Sequence, residues 1–378
     1  MTKIQTVDES ILYTLGGIFI FSWLFQLFYQ LFFLLKPSHF KPLTYDNKQR
    51  PLSVIICAKN EASNLKNFIP KICNQNYPNF EVIVVNDCST DDSEMVLAQL
   101  KTEFSNLYYT SIPLSKQHYQ GKKLALTIGI KAANNEHLVF TDADCYPTSD
   151  QWLKEVSSQF TDEKQIVIGH GRFEKQKSFF NLFLRYETFF NAVQYMGFAL
   201  RGKPFMAVGR NMAYTKSLFE QSDVFKPYLN MASGDDDLFI RRCANKHNTT
   251  IQLNYDSQTV SLAPQSFSEW RTRKSRHLTT APAYRFGIKC WLIMEPLTRQ
   301  IMWLLTLCSL FFHIFVPLTI ALFALRMLTL HIVLAKAANK MGENKLFWAT
   351  SIFDFITPWL VGSVWVINIF SAKKKKWK

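Results

Sequence analysis

The sequence has no Cys-x-x-Cys pair, and its seven cysteines (Cys57, Cys73, Cys88, Cys145, Cys243, Cys290 and Cys308) follow no ladder of spacings. That excludes a zinc module and a disulfide framework, and the thiols are expected as small buried residues. There is no Gly/Ser linker, low-complexity tract or internal repeat, so a string of tethered modules is excluded and one compact soluble domain is expected. Acids are the scarcer charge: 29 Asp and Glu against 43 Lys and Arg give a net charge of +14. No basic-aromatic recognition module accompanies that excess, and much of it flanks apolar segments, so the expected partner is a membrane surface and not nucleic acid.

What the chain does have is aromatic residues, 15% of 378 with 33 Phe, and they concentrate in charge-free runs. Residues 11–35 carry no charge over about the length of a bilayer crossing. Asp8 and Glu9 precede them where a cleaved signal peptide would carry a basic cluster. Residues 301–325 and 346–370 are further long runs, with Asp354 the only acid. Between them Met327, Leu330, Val333, Leu334, Ala337 and Met341 recur at helical spacing beside Arg326, Lys336 and Lys340, which predicts an interfacial amphipathic helix over 326–342. A competing parse divides 301–335 at Pro317 into two short spans. Three spans let Lys36, Lys41, Arg299 and the terminal KKKKWK share the cytoplasmic side. The expectation is a multi-pass protein of the inner (cytoplasmic) membrane, N-terminus out and C-terminus in, with residues 42–295 as a cytoplasmic domain.

That domain opens with alternating strand and helix signals. LSVIICA (52–58), FEVIVVN (80–86), NLYYTSI (106–112) and HLVFTDA (137–143) are short apolar runs rich in β-branched and aromatic residues, spaced by about one βαβ unit. They predict an α/β domain with a largely parallel sheet. Asp91 with Glu94 predicts a capping box for the next helix, and Lys122 to Ala133 another helix.

Ligands of such sheets bind beyond the carboxyl ends of the strands. The fourth run ends in Asp142 and Asp144, one residue apart. A bare Asp-x-Asp arises by chance in a chain of this length, so the position carries the signal: a strand delivering two carboxylates to hard Mg²⁺ or Mn²⁺ and a phosphorylated ligand. The first run ends in Ala58-Lys59-Asn60-Glu61 and the second in Asn86-Asp87-Cys88-Ser89-Thr90-Asp91. An acid there can accept hydrogen bonds from a base or ribose, though Asp87 alone equally fits an Asx-turn or helix cap. Gly121-Lys122-Lys123 opens a helix where backbone and cations can meet phosphate.

SVIICAKNEASNL, NQNYPNFEVIVVNDCSTDDS, GKKLAL and FTDADCYP resemble, in order and spacing, the nucleotide-binding half of GT-A family 2 glycosyltransferases, over roughly residues 50–280. The resemblance implies a nucleotide-sugar donor, with UDP the expected nucleotide. It puts Glu61 and Asp87 near the base and ribose, Lys122 near the donor phosphates, and Asp142 and Asp144 as the metal-binding pair. Asn86-Asp87-Cys88 departs from the family's frequent Asp-Asp-Gly but keeps the second acid.

Further on, Gly209-Arg210-Asn211-Met212-Ala213-Tyr214 resembles the acceptor-side segment, and Ser233-Gly234-Asp235-Asp236-Asp237-Leu238 the acidic motif that supplies the catalytic base. Matching Gly-Asp-Asp makes Asp236 the base, whereas anchoring on Leu238-Phe239-Ile240 makes it Asp237. Asp236, flanked by acids on both sides, is favoured because like charges raise a carboxylate's pKa towards a base's working range. Arg273-Lys274-Ser275-Arg276-His277 resembles, in degenerate form, the Gln-x-x-Arg-Trp motif of membrane-bound members. Arg276 takes the place of the diphosphate-contacting arginine, Arg273 that of Gln and His277 that of Trp. Guanidinium suits phosphate by bidentate bonding, and a juxtamembrane basic patch on anionic lipid is the alternative.

The implied activity is metal-dependent, inverting hexosyl or N-acetylhexosaminyl transfer to a lipid or membrane-associated glycan. A processive polysaccharide synthase is the alternative. Three spans make a small channel, which favours a short single-hydroxyl lipid acceptor unless a homo-oligomer supplies more helices. A nucleotide-sugar-binding subunit without transfer is the non-enzymatic alternative, and the retained acids argue against it.

Overall fold

Continuous apolar runs bounded by polar residues become buried parallel strands. The structure, a computed structural model, describes residues 9–43, 49–113, 121–222, 224 and 234–370. Ser233 and the KKKKWK tail lie outside the described residues. Strands β1 (Leu52–Ala58), β2 (Phe80–Asp87), β3 (Leu107–Ile112) and β4 (His137–Asp142) pair in parallel in the order β3-β2-β1-β4. Antiparallel β8 (Met212–Thr215) joins β4, and β6 (Ile166–Ile168) and β9 (Thr249–Ile251) complete seven strands. A second sheet holds three-residue strands in the order β5 (Cys145–Pro147), β10 (Thr259–Ser261), β7 (Gly171–Phe173).

Alternation along β1 serves two cores. Leu52, Val54, Ile56 and Ala58 face helices α2 (Ala62–Cys73), α3 (Ser93–Glu103) and α5 (Trp152–Ser157), whereas Ile55 and Cys57 face α4 (Lys122–Ala132) and α6 (Phe179–Leu200). The expected capping box at α3 is replaced by a different arrangement. The Asp91 carboxylate accepts from Ser93 N at 3.1 Å and from Ala62 N at 3.0 Å, holding the starts of both α2 and α3, while Glu94 accepts from Asn86 Nδ2 at 2.9 Å. Cys57, Cys73, Cys88 and Cys145 are buried as expected, but Cys290 and Cys308 are exposed.

The expected apolar helices over 11–35 and 346–370 are present, and the stretch over 301–342 folds differently from the expectation. Helix α1 (Glu9–Tyr29) continues through a wide π-helical turn over Gln30–Leu34 and packs on α6, with Phe33 stacked on Phe198. The single helix expected over 301–325 is broken, because His313 and Phe315 both take left-handed backbone conformations. The helices are therefore α10 (Phe286–Phe312) and α11 (Val316–Met341), and residues 326–342 form no separate interfacial helix. α11 instead runs back to the α/β domain. Gln258 Nε2 donates to Met341 O at 3.0 Å, and buried Glu343 pairs with Arg172 at 3.2 Å and with Arg185. Gly342 (φ +70°) lies where a Cβ would meet the Tyr255 ring at 2.5 Å, so the close approach needs glycine.

Helix α12 (Thr350–Phe370) touches α6 through Phe353 near its start. It also meets α9 (Phe267–His277) near its end, where Asn368 Nδ2 donates to Ser275 O at 3.0 Å. By length and apolar composition α1 with its extension, α11 and α12 could each cross a membrane. Where four helices meet, buried Arg326 binds Asp354 with two bonds, one of 2.9 Å, and Gln26 at 2.8 Å. Arg299 pairs with Glu295 at 2.9 Å and reaches Asp354 at 3.5 Å. The four charges sum to zero, as buried charges require.

Candidate active site

The strand ends, the start of α4 and the start of α8 (Asp235–Cys243) converge on one cleft of about 350 Å³. Asp142 ends β4 and Asp144 follows it in the turn to β5. Lys122, in the first turn of α4, donates to Asp142 Oδ1 at 2.7 Å and reaches Asp235 Oδ2 at 3.2 Å, bridging the two acidic groups. Surrounding protein disfavours ionisation of Asp142, but Lys122 outweighs it and holds the carboxyl below its ordinary range. Asp144 moves the other way: desolvation and the like charge of Asp142 raise it, and Arg273 NH1, 3.7 Å from Oδ2, only partly compensates.

Two half-buried carboxylates that repel each other suit a divalent cation. Asp142, Asp144 and the Cys145 thiol place one ligand atom each within 4.8 Å of one another. Burial pushes the Cys145 pKa up, so its sulfur stays a thiol, and it donates towards Asp144 Oδ1 at 3.3 Å. The oxygen pair alone therefore fits a hard ion.

Across the cleft α8 begins after Gly234, whose φ of +87° is left-handed and whose absent Cβ leaves room for Thr280. Asp235 and Asp236 line the cleft. Asp236 Oδ2 accepts from Gly209 N at 2.9 Å, and its Oδ1 accepts from Asp237 N at 2.8 Å. Desolvation and the adjacent Asp235 raise the Asp236 pKa to about 6, against the pull of Lys122 and these two N–H donors.

Asp237 turns away. Its Oδ2 accepts from Thr280 Oγ1 at 2.8 Å and Tyr284 OH at 2.9 Å, and it is buried. Burial and Asp236 push its pKa well above the usual carboxylate range. Successive residues step by about 100° around the helix axis, and of the three acids it is Asp237 that is carried off the cleft wall, while Asp235 and Asp236 stay on it.

The other expected residues divide similarly. Glu61 lines the cleft, and its Oε2 accepts from Asn64 at 2.6 Å. Asp87 ends β2 fully buried, with Oδ2 lacking a described hydrogen-bond partner, and is not part of the cleft wall. Arg273, Arg276 and His277 all line the cleft from α9. Desolvation and the cations Arg276 and Lys274 lower the His277 pKa, so the imidazole is neutral.

Sequence reasoning assigned no role to Glu187, Asn191 and Tyr195 of α6, which line the same cleft. Their i, i+4, i+8 spacing inside FFNLFLRYETFFNAVQYMGFAL is the signal that would have found them. Arg210 also lines the cleft, its guanidinium 4.7 Å from the centre of the Phe173 ring.

Comparisons with known proteins agree with this geometry. Residues 53–222 match the model of the family described as Glycosyl transferase family 2. The chain is 28% identical over 200 residues to Glycosyltransferase AglE of Haloferax volcanii, covering 51% of this chain and 61% of that protein. It is 33% identical over 104 residues to Beta-monoglucosyldiacylglycerol synthase of a Nostoc species, covering 27% and 22%. It therefore spans less than two thirds of either relative. Among solved structures, the mannosyltransferase PcManGT from Pyrobaculum calidifontis, in complex with GDP-Man and Mn²⁺, superposes with a TM-score of 0.59 at 20% identity, covering 97% of this chain and all of that one. With a largely parallel sheet of the GT-A type, an acidic pair at the end of β4 and this family match, residues 53–222 of the chain form a glycosyl transferase family 2 domain.

Proposed function

We propose that the chain is a metal-dependent, inverting glycosyltransferase that moves a hexosyl or N-acetylhexosaminyl group from a nucleotide-sugar donor to a lipid or membrane-associated glycan. The observation that carries this reading is the facing of Asp142 and Asp144, with Lys122 and Arg276, against Asp236 across one cleft. Glu61, in the cleft wall just past the end of β1, could receive the base or ribose of the donor, UDP being the first nucleotide to test, whereas buried Asp87 supports the strand end from beneath. A divalent cation, Mg²⁺ or Mn²⁺, held by Asp142 and Asp144 would neutralise charge on the donor diphosphate.

The chain's own groups account for the remaining demands. Lys122, Arg273 and Arg276 attract and orient the diphosphate by charge-assisted hydrogen bonds. Asp236, held by Gly209 N, takes the proton of the acceptor hydroxyl as that oxygen bonds to the anomeric carbon. The bond from that carbon to the diphosphate breaks, and its electron pair leaves with the nucleotide. One displacement inverts the configuration. Asp235 remains paired with Lys122.

For the membrane, α1 and the α10–α11 pair would make the crossings, because Tyr284 just before α10 and Glu343 just after α11 both bond the catalytic domain. α12 would lie along the interface, its exposed Trp359 and Trp365 facing the headgroups. Catalytic domain and C-terminus then share the cytoplasmic side, where nucleotide sugars are made. Calorimetric titration of the detergent-purified chain with UDP- and GDP-sugars tests the donor reading: binding that needs Mn²⁺ or Mg²⁺ and is lost in EDTA supports it, and no binding refutes it.

A further inference from the structure

Beyond Asp236 the cleft continues along one face of α6. Tyr195 lines the cleft together with Asp236, and its OH is committed to Gly169 O at 2.9 Å. One and two turns back along the same face come Asn191 and Glu187, with Thr188 beside them, so the stripe extends about 12 Å from Tyr195 to Glu187 at the helical rise. Lys274 and His277 of α9 line the same stretch of the cleft.

The groups on this stripe are only half used within the protein. Glu187 Oε1 accepts from Asn191 Nδ2 at 2.8 Å and from Lys274 Nζ. Oε2 of Glu187, Oδ1 of Asn191 and the Thr188 hydroxyl have no hydrogen-bond partner among the described residues, and none of the three is a buried orphan atom. Carboxylate, amide carbonyl, hydroxyl and neutral imidazole are acceptors and donors matched to sugar hydroxyls. A hydrocarbon passing the same stripe would strip water from an ion pair and an amide without replacing their hydrogen bonds. A phosphate would meet the Glu187 carboxylate, with Lys274 already neutralised by it.

Resting on the transfer reading above, we propose that the acceptor presents a sugar ring next to the accepting hydroxyl, and that Glu187, Asn191 and Thr188 form the subsite that selects it. The expected acceptor class is therefore an already glycosylated lipid or glycan, in place of the single-hydroxyl lipid favoured by the small number of spans.

The test uses the full chain in nanodiscs, with the nucleotide-sugar it binds best and Mn²⁺. Nucleotide release is measured with benzyl glycosides of glucose, galactose, mannose and N-acetylglucosamine, with benzyl alcohol and with farnesyl phosphate. At least one glycoside should outperform benzyl alcohol by about a hundredfold, as expected where a site is built to hydrogen-bond hydroxyls. Asn191→Leu, Thr188→Val and Glu187→Gln should each raise the acceptor KM about tenfold or more while donor Kd stays within about twofold, which also reports a folded protein. Equal stimulation by benzyl alcohol or farnesyl phosphate, no stimulation by any glycoside, or an unchanged acceptor KM in all three variants would overturn the subsite. Failure of the unmodified chain to bind any nucleotide-sugar would instead overturn the transfer reading on which the subsite depends.

Discussion

Asp236 and Asp237 are adjacent, both acidic and both shifted upward, yet replacing each by Asn should give opposite results. Asp236 lines the cleft, and its pKa of about 6 makes it a base that is mostly ionised at pH 7. Asp236→Asn cannot accept the proton, so kcat should fall by at least about a hundredfold, or about 2.7 kcal/mol of barrier, with donor Kd nearly unchanged. The unmodified enzyme should lose activity as pH falls through about 6, because only the deprotonated form acts; by pH 5 about a tenth of Asp236 is ionised. Asp237 points away from the cleft and accepts from Thr280 and Tyr284, and burial with the adjacent Asp236 raises its pKa. An Asn there has nearly the same shape and still offers a carbonyl to both hydroxyls, so Asp237→Asn should stay within about tenfold of normal turnover. The assay is initial-rate transfer from pH 5 to 8 with donor binding measured in parallel. A dead Asp237→Asn beside a near-normal Asp236→Asn would refute this assignment and shift the base by one residue.

Three further outcomes follow from the same geometry. Asp144→Asn should abolish transfer and weaken cation-dependent donor binding in a protein that still folds, as judged by its melting temperature; unchanged cation dependence would remove Asp144 from the metal site. Arg326→Leu should leave Asp354 incompletely paired and cost about 3–5 kcal/mol, whereas Arg326→Leu with Asp354→Leu should recover part of that loss in detergent melts, because Arg299 and Glu295 still neutralise each other; a double variant less stable than either single would contradict the network. A tag after Lys378 should be protected from external protease in intact cells, and its exposure would mean that α12 crosses the membrane.

The part of the cleft proposed to bind the donor was legible, Asp87 apart, because its signals are local. β1, β2 and β4 begin where continuous apolar runs begin, and Asp142 and Asp144 follow the fourth run directly, so position in the sequence already gives position at the sheet edge. The part proposed to bind the acceptor was not. β5, β7 and β10 have three residues each, too short for any period to register, and α6 reads as a plain apolar helix until Glu187, Asn191 and Tyr195 are placed on one face. Which of Asp236 and Asp237 faces the cleft depends on Thr280 and Tyr284, more than forty residues away in sequence. The run over 301–325 breaks beside Pro317, where the competing parse divides it; charge argues against that parse, and Phe315, a bulky residue at positive φ, gives no local signal of the break. What turns α11 back to the catalytic domain is Glu343 meeting Arg172 and Arg185, a contact between distant segments that hydropathy does not record.

Product analysis tests the central claim most directly. The full chain in membranes is given a labelled nucleotide-sugar and Mn²⁺, and the label is followed into lipid extract, polymer and free sugar. The account predicts cation-dependent incorporation into a discrete glycosylated acceptor with the anomeric configuration inverted relative to the donor, and its loss in Asp236→Asn despite retained donor binding. Donor binding without transfer to any membrane fraction, in the unmodified chain, would contradict the account and leave a nucleotide-sugar-binding subunit in its place.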